Sequence, residues 1–359
     1  MRADDTAKQP LKVLHLSFHR GCIKDFEVVS KELGLELTSW FIADLGSKFD
    51  GNPYTNTTYT LNHARAERVW NLHKAYFESF DAIVTSDTAP LCRIFLQNNW
   101  RKPLIIWICN RFDYYDQAGT DGGFPDAEYF ELFRKAATQE NVTVINYTQY
   151  EHLYALHRDV NTGSLVIKPC GSLPQELNKD TSQIPREVNK QETFFIPSRF
   201  DSQEQINHLI TKCREAGIAT YCGTYNGPDD LTDFKGVIHF PYNFSNLALF
   251  ENMQRGLVHF VPSLNFARQL YYSRERHKYR FFENGVADVI QFSEWYNGDN
   301  KDVIIYFDSW HDLRRKIHQT DFSLLREKVR ECGVKHRATM LNRWCDVFNK
   351  AQEFLSHKN

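Results

Sequence analysis

The sequence predicts an α/β protein of two Rossmann-like domains, each a parallel sheet wrapped by helices. Three observations carry this. Short apolar runs alternate with amphipathic stretches from residue 11 to 169, a polar segment without periodicity follows, and the alternation begins again at residue 192. At 359 residues, with 42% hydrophobic and 25% charged side chains, the chain is long enough to bury two cores.

In the first half, LKVLHLS (11–17) reads as a buried strand, followed by FHRGC and a helix from Lys24 to Leu33. ELTSWF (36–41) is a second strand, and a loop rich in Gly, Asn and Thr spans about 44–60. A helix over about 61–78 precedes DAIVTSD (81–87), a third strand, and a helix near 89–98 leads to LIIWIC (104–109), the most apolar strand of this half. An aromatic and acidic loop, a helix over 126–138, the strand VTVINY (142–147), a helix over 148–157 and the strand SLVIKP (164–169) complete it. Residues 171–191 are polar, hold two prolines and read as an interdomain linker. In the second half, ETFFIPSRF (192–200), IATYCG (218–223), GVIHF (236–240), ADVIQF (287–292) and DVIIYF (302–307) are strands. Helices are expected over 202–216 and from Ser309 to about His318, with a long helix or pair of helices over Asp321–Leu355.

The formal charge of -2 gives no polyelectrolyte signature, so nucleic acid is not an expected partner. The polar N-terminus has no apolar core of a signal peptide, and no run approaches the length of a spanning helix, so a cytoplasmic chain is expected. The eight cysteines are scattered without a Cys-x-x-Cys pair, which predicts thiols rather than a disulfide framework or a zinc site. The Asn-x-Ser/Thr matches at Asn56, Asn141, Asn146 and Asn243 read as chance.

The most informative stretch is FPYNFSNLALFENMQRGLVHFVPS, residues 240–263. Leu247, Leu249, Phe250, Met253 and Leu257 recur at helical spacing, Gly256 stands where a helix ends, and LVHFVP is a short apolar strand. With Asn243 or Ser245 as N-cap, the amides of Ser245, Asn246 and Leu247 can hold a phosphate at the positive end of the helix dipole. Glu251 then reaches a ribose hydroxyl. Tyr242 and Phe244 can stack on a nucleobase, and both also suit a core.

This string resembles the nucleotide-sugar site of glycosyltransferases with the GT-B fold, through Glu251, Met253, Gly256 and Val261-Pro262-Ser263. NYTQYEHLYAL with VIKPCGS is similar to the end of their N-terminal domain. IPSRF is similar to the strand that opens the second, with Ser198 in place of a glycine, and puts Arg199 at the donor-phosphate arginine. The resemblance implies two Rossmann-like domains facing across a cleft: an acceptor domain over 1–170, a linker over 171–191 and a donor domain over 192–339. It also implies a last helix, about 340–359, that returns to the first domain through Leu341, Trp344, Val347 and Phe348. It implies transfer of a hexosyl or deoxyhexosyl group from a nucleoside diphosphate sugar, UDP ahead of GDP, to a glycan or other hydroxyl acceptor. An epimerase or hydrolase on the same scaffold and an inactive glycan-binding protein are the alternatives.

The sequence departs from the family pattern at two places. No lysine follows Arg199 within FDSQE, and Asn243 stands where retaining relatives carry a glutamate. A diphosphate leaving without a metal needs Arg, Lys and helix amides to take its charge. There is no Asp-x-Asp motif, so neither a metal nor another cofactor is expected. The basic stretch Arg268, Arg274, Arg276, His277, Lys278 and Arg280 reads first as a solvated face and second as a source of the missing cation.

An inverting transfer needs a base from the first domain, where strand C-termini gather functional groups. Asp113 leads the candidates, with Arg111 as its possible ion-pair partner; His19 follows, and Asp87 is third because it can simply cap the next helix. Arg20, Asn110, Arg111 and Tyr114 are the expected acceptor contacts. The sugar, the acceptor, the stereochemistry and the oligomeric state are not legible.

Overall fold

The computed structural model describes residues 9–52, 61–113, 126–171, 184–185, 187–198, 201–242, 244, 246–279 and 290–357. The chain forms two compact units, Met1–Cys170 with Thr339–Asn359, and Gly171–Ala338.

The first unit is built on strands β1 (Lys12–Ser17), β2 (Glu36–Phe41), β3 (Ala82–Asp87), β4 (Leu104–Ile108) and β5 (Val142–Asn146). All pair in parallel, in the order β2-β1-β3-β4-β5. Every residue of β3 and β4 is buried, whereas edge strand β2 is only partly so. A run such as LIIWI is what a strand covered on both faces requires. The helices are α1 (Arg20–Leu33), α2 (Ile42–Leu45), α3 (Ser47–Asp50), α4 (His63–Glu78), α5 (Arg93–Leu96), α6 (Ala127–Ala136) and α7 (Gln149–Leu156).

Two expected elements differ. The helix near 89–98 is a 3₁₀ turn over Ala89–Cys92 followed by the single turn α5. The strand expected over 164–169 is one bridge, Val166 to Asn146. Two backbone bonds, from the Asn146 amide to the Leu165 carbonyl (2.9 Å) and from the Ile167 amide to the Asn146 carbonyl (3.0 Å), make this bridge, and Asn146 Nδ2 adds bonds to the carbonyls of Gly163 (2.8 Å) and Leu165 (3.2 Å).

The second unit carries β6 (Phe194–Pro197), β7 (Thr220–Gly223), β8 (Gly236–Ile238), β9 (His259–Pro262) and β10 (Ile304–Phe307), parallel in the order β10-β9-β8-β6-β7. Its helices are α8 (Gln203–Glu215), α9 (Leu247–Gln254), α10 (Leu264–Tyr272) and α11 (Trp310–Gln319). In both sheets the second strand lies outside the first and the third to fifth follow on its other side. The winding direction therefore reverses between β1 and β3 and again between β6 and β8, where doubly wound sheets bind ligands at strand C-termini. The segment expected as strand ADVIQF has a 3₁₀ turn over Ile290–Phe292, and its residues 287–289 lie outside the described residues. Ser293, fully buried, ends that turn by capping the next one at Trp295.

The last helix, α12 (Phe322–Ser356), is a single element of 35 residues. Its first part packs in the second unit, where Phe250 of α9 stacks on His336 at 4.3 Å. Its last part packs in the first, where Trp344 meets Trp107 edge-on at 5.3 Å and Phe26 at 5.2 Å.

Gly256 ends α9 as a left-handed residue with φ of 70°. Its amide donates to the Met253 carbonyl and that of Leu257 to the Asn252 carbonyl, each at 3.0 Å, the paired bonds of a Schellman stop. A Cβ there would lie 2.7 Å from the Arg326 carbonyl oxygen of α12. Gly256→Ala is therefore expected to destabilise the second unit by about 2 kcal/mol or more, from left-handed strain plus displacement of α12. Chemical denaturation of the two proteins checks it.

Candidate functional site

In the first unit the ends of β1, β3 and β4 bring together His19, Cys22, Asp87, Cys109 and Asn110. Phe18 and His19 follow β1 directly, and α1 begins at Arg20 because the His19 ring caps it: Nδ1 accepts the Gly21 N–H at 3.1 Å. The helix thus starts four residues before Lys24, the start read from the sequence. The His19 ring is exposed.

Asp87 ends β3 in the left-handed region, with φ of 71°, a conformation uncommon outside glycine. It is 7% exposed. It does not cap a helix, contrary to the reason that ranked it third; the residue before the 3₁₀ turn is Thr88, and no side chain caps that turn. Instead its Oδ1 accepts from Asn110 Nδ2 at 3.4 Å, and its carbonyl accepts the Asn110 amide at 3.0 Å. Burial raises its carboxyl above the ordinary carboxylate range, opposed by His19 and by the Asn110 hydrogen bond. A buried carboxylate with raised proton affinity beside an imidazole can accept a proton from a hydroxyl.

Asp113, first choice by sequence, is engaged elsewhere. It is 2% exposed, accepts from the Tyr154 hydroxyl at 3.3 Å and pairs with Arg158 at 3.3 Å. Arg158 lies over the Tyr154 ring at 3.6 Å, and Arg111 stands 5.9 Å from the same ring. Burial raises the Asp113 carboxyl, and Tyr154 and Arg158 oppose this. It pairs with Arg158, 45 positions further on, and the neighbouring Arg111 also draws its carboxyl down. Arg20, expected at the acceptor, reaches Asp44 at 2.7 Å and lies over Phe41 at 4.3 Å, an exposed pair beside the edge strand. Tyr114 lies outside the described residues.

In the second unit the candidate donor segment follows β8. His239, Phe240, Pro241 and Tyr242 lead toward α9, whose N-cap is Asn246, in place of the expected Asn243 or Ser245. Asn246 Oδ1 accepts the Ala248 amide at 2.9 Å and its carbonyl accepts that of Leu249 at 3.3 Å, so the cap already satisfies two amides of the first turn. Asn243, Ser245 and Arg199 lie outside the described residues; Ser198, before Arg199, donates its amide to the Gly223 carbonyl at 3.0 Å just past β6. Phe244 is buried, with its carbonyl accepting the Glu294 amide at 3.0 Å, as the core alternative for this residue requires. Tyr242, Asn246, Leu247 and Glu251 are partly exposed. Beneath α9, His239 stacks on Trp295 at 4.0 Å, and Asn252 Nδ2 meets His259 Nε2 at 3.1 Å. Both histidines are held neutral by burial, His239 at about 3 and His259 at about 4.

Most of the basic stretch is locally paired. Lys278 contacts Glu275 at 3.0 Å, His277 contacts Glu204 at 3.6 Å, Arg276 covers Tyr271 at 4.1 Å, and Arg268 donates to Gln291 at 3.0 Å. Arg280 lies outside the described residues. Among the described residues no three His, Cys, Asp or Glu side chains converge as a metal site, and no helix is long and apolar enough to cross a membrane. The sequence assigns no role to Cys22, in the first turn of α1, or to Cys109, directly after β4, because no local spacing signals thiols carried on different elements.

No family model matches this sequence, and no curated protein does. Solved structures do. The UDP complex of UGT89C1 from Arabidopsis thaliana aligns with a TM-score of 0.53 at 10% identity, over 96% of this chain and all (100%) of that one. The glycotransferase of kitacinnamycin aligns at a TM-score of 0.49 and 11% identity, over 95% of this chain and 99% of that one. A putative UDP-N-acetylglucosamine 2-epimerase from Listeria monocytogenes gives 0.43 and 11%, over 90% and 91%. With its two five-stranded parallel sheets and the full-length match to the Arabidopsis structure, the chain has the GT-B glycosyltransferase-like fold.

Proposed function

We propose that this protein transfers a sugar from a nucleoside diphosphate donor, UDP ahead of GDP, to a glycan or other hydroxyl acceptor without a metal. The observation that carries the reading is Asp87: buried, left-handed, raised in proton affinity and beside His19 at the winding reversal of the first sheet. The acceptor oxygen attacks the anomeric carbon, whose bond to the diphosphate oxygen breaks, and the nucleoside diphosphate departs with the electron pair. Asp87, with His19 beside it, takes the hydroxyl proton. Arg199 and the start of α9 carry the charge of the leaving group, and Glu251 holds the ribose. Asn110 positions Asp87, and Arg111 stands with Tyr154 on the acceptor side. UDP in the Arabidopsis neighbour supports the donor class.

Ligand-detected NMR against UDP-, GDP-, dTDP- and CMP-sugars, without metal, tests the donor half. One nucleotide class is expected to bind, with Glu251→Ala and Arg199→Ala each weakening it about tenfold, as loss of a charged hydrogen bond does. Donor consumption only in the presence of an acceptor supports transfer. Consumption without one favours a hydrolase or epimerase, and an intact donor in every mixture favours a glycan-binding protein.

A further inference from the structure

We propose that Trp295 is a positioning residue for the candidate donor loop: together with the backbone of Glu294 it holds both ends of residues 239–244, which lead from β8 into α9. This deepens the transferase reading, on which the ligand of the loop, a nucleoside diphosphate, rests. β8 ends at Ile238, and the next amide, that of His239, donates to the Phe260 carbonyl at 2.9 Å. At this end of the loop the Trp295 indole lies on the His239 ring, with centroids 4.0 Å and planes 29° apart. At the other end the Glu294 amide donates to the Phe244 carbonyl at 3.0 Å. The Tyr242 ring, between the two ends, stands 6.1 Å from that of His239.

The turn that carries Glu294 and Trp295 is itself fixed to the second sheet. Tyr306 of β10 donates its hydroxyl to the Trp295 carbonyl at 2.6 Å, and Tyr296 donates its own to the Pro262 carbonyl at the end of β9 at 2.9 Å. Asn300 Nδ2 donates to the Glu294 carbonyl at 3.0 Å. Trp295 is 2% exposed and shares one apolar cluster with Leu249, Phe250 and Met253, the buried face of α9. A single side chain thus backs both the loop and the helix whose start the donor reading assigns to the diphosphate.

Ordering a loop at the moment of binding weakens affinity, and a loop held beforehand avoids that loss. Truncating Trp295 would take the indole off His239 and leave a cavity against α9, so the loop and the helix start would both gain freedom. The bond from Glu294 is made by the backbone, so the stacked pair is the half of the bracket that substitution can reach.

The test combines amide hydrogen exchange, read by mass spectrometry, with separate titrations of UDP and GDP into the full-length protein. In Trp295→Ala the His239 and Glu294 amides, one bonded at each end of the loop, should exchange about tenfold faster while α8 keeps its wild-type rate. The nucleotide that binds the wild type should bind this variant about tenfold more weakly. Trp295→Phe keeps a ring on His239 and should restore both readings. His239→Ala removes the other half of the stack and should reproduce both losses even where Trp295→Ala folds poorly. Unchanged exchange at the two amides, faster exchange spread evenly through α8, or unchanged affinity in both alanine variants overturns the positioning role and leaves the transferase reading standing. A wild-type protein that binds neither nucleotide overturns the transferase reading, and the positioning role with it.

Discussion

Asp87→Asn is expected to leave the protein folded and lower glycosyl transfer by about 10²–10⁴-fold, the range general-base catalysis commonly contributes. The substitution is nearly isosteric, and asparagine tolerates the left-handed backbone seen at φ of 71° at least as well as aspartate. The contact with Asn110 can persist through the amide oxygen, so the change removes proton acceptance and little else. The loss should fall on kcat with KM nearly unchanged, because the proton moves only in the transition state. Asp113→Asn serves as the comparison. It weakens the pair with Arg158 and should act mainly on stability, since that carboxylate is already taken. Single-turnover rates with a radiolabelled donor read both. Full activity in Asp87→Asn with loss in Asp113→Asn would return the base to the position first chosen from the sequence.

The surroundings of Asp87 and Asp113 show where sequence reading reaches its limit. Local signals were legible: LIIWI as a strand buried on both faces, Gly256 as a helix stop, and the fresh alternation after residue 192. Each is written in consecutive residues. The N-cap of α9 was not, because Asn243, Ser245 and Asn246 are all good caps within four positions and spacing alone does not choose among them. The described end of ADVIQF, Ile290–Phe292, is a 3₁₀ turn for a related reason, since a short apolar run fits a turn as well as a strand. The pairing of Asp113 with Arg158 and the meeting of His19, Asp87 and Cys109 are non-local. They depend on β3 lying between β1 and β4, and strand order is absent from any window of sequence.

The second large effect is acid lability, and it follows from histidines outside the proposed chemistry. His15 lies fully buried in β1 with Nε2 bonded to Ser86 Oγ at 2.8 Å, and burial lowers it from 6.5 to about 3. His239 and His259 of the second unit are lowered to about 3 and about 4 for the same reason. In the unfolded chain all three titrate near 6.5. Above that value neither state holds the proton and the stabilising preference for the neutral ring is complete. As pH falls from 6.5 toward the folded values, only the unfolded chain takes up protons, so stability falls with pH. One histidine gives a slope near 1.4 kcal/mol per pH unit in that window, so the two of the second unit give about twice that, while in the first the raised carboxyls of Asp87 and Asp113 oppose the loss from His15. Thermal melts from pH 7 to 4.5 are therefore expected to show a steep fall in midpoint, with the second unit giving way first. His239→Phe keeps an aromatic ring against Trp295, now 4.0 Å from the imidazole, and should remove about half of the second unit's slope. The paired carboxylates Asp126 and Asp312, whose titration is pushed below the ordinary 3.8, lose their contribution only at lower pH and do not supply this slope. A midpoint that stays flat down to pH 4.5, or a slope unchanged in His239→Phe, would place the acid sensitivity elsewhere.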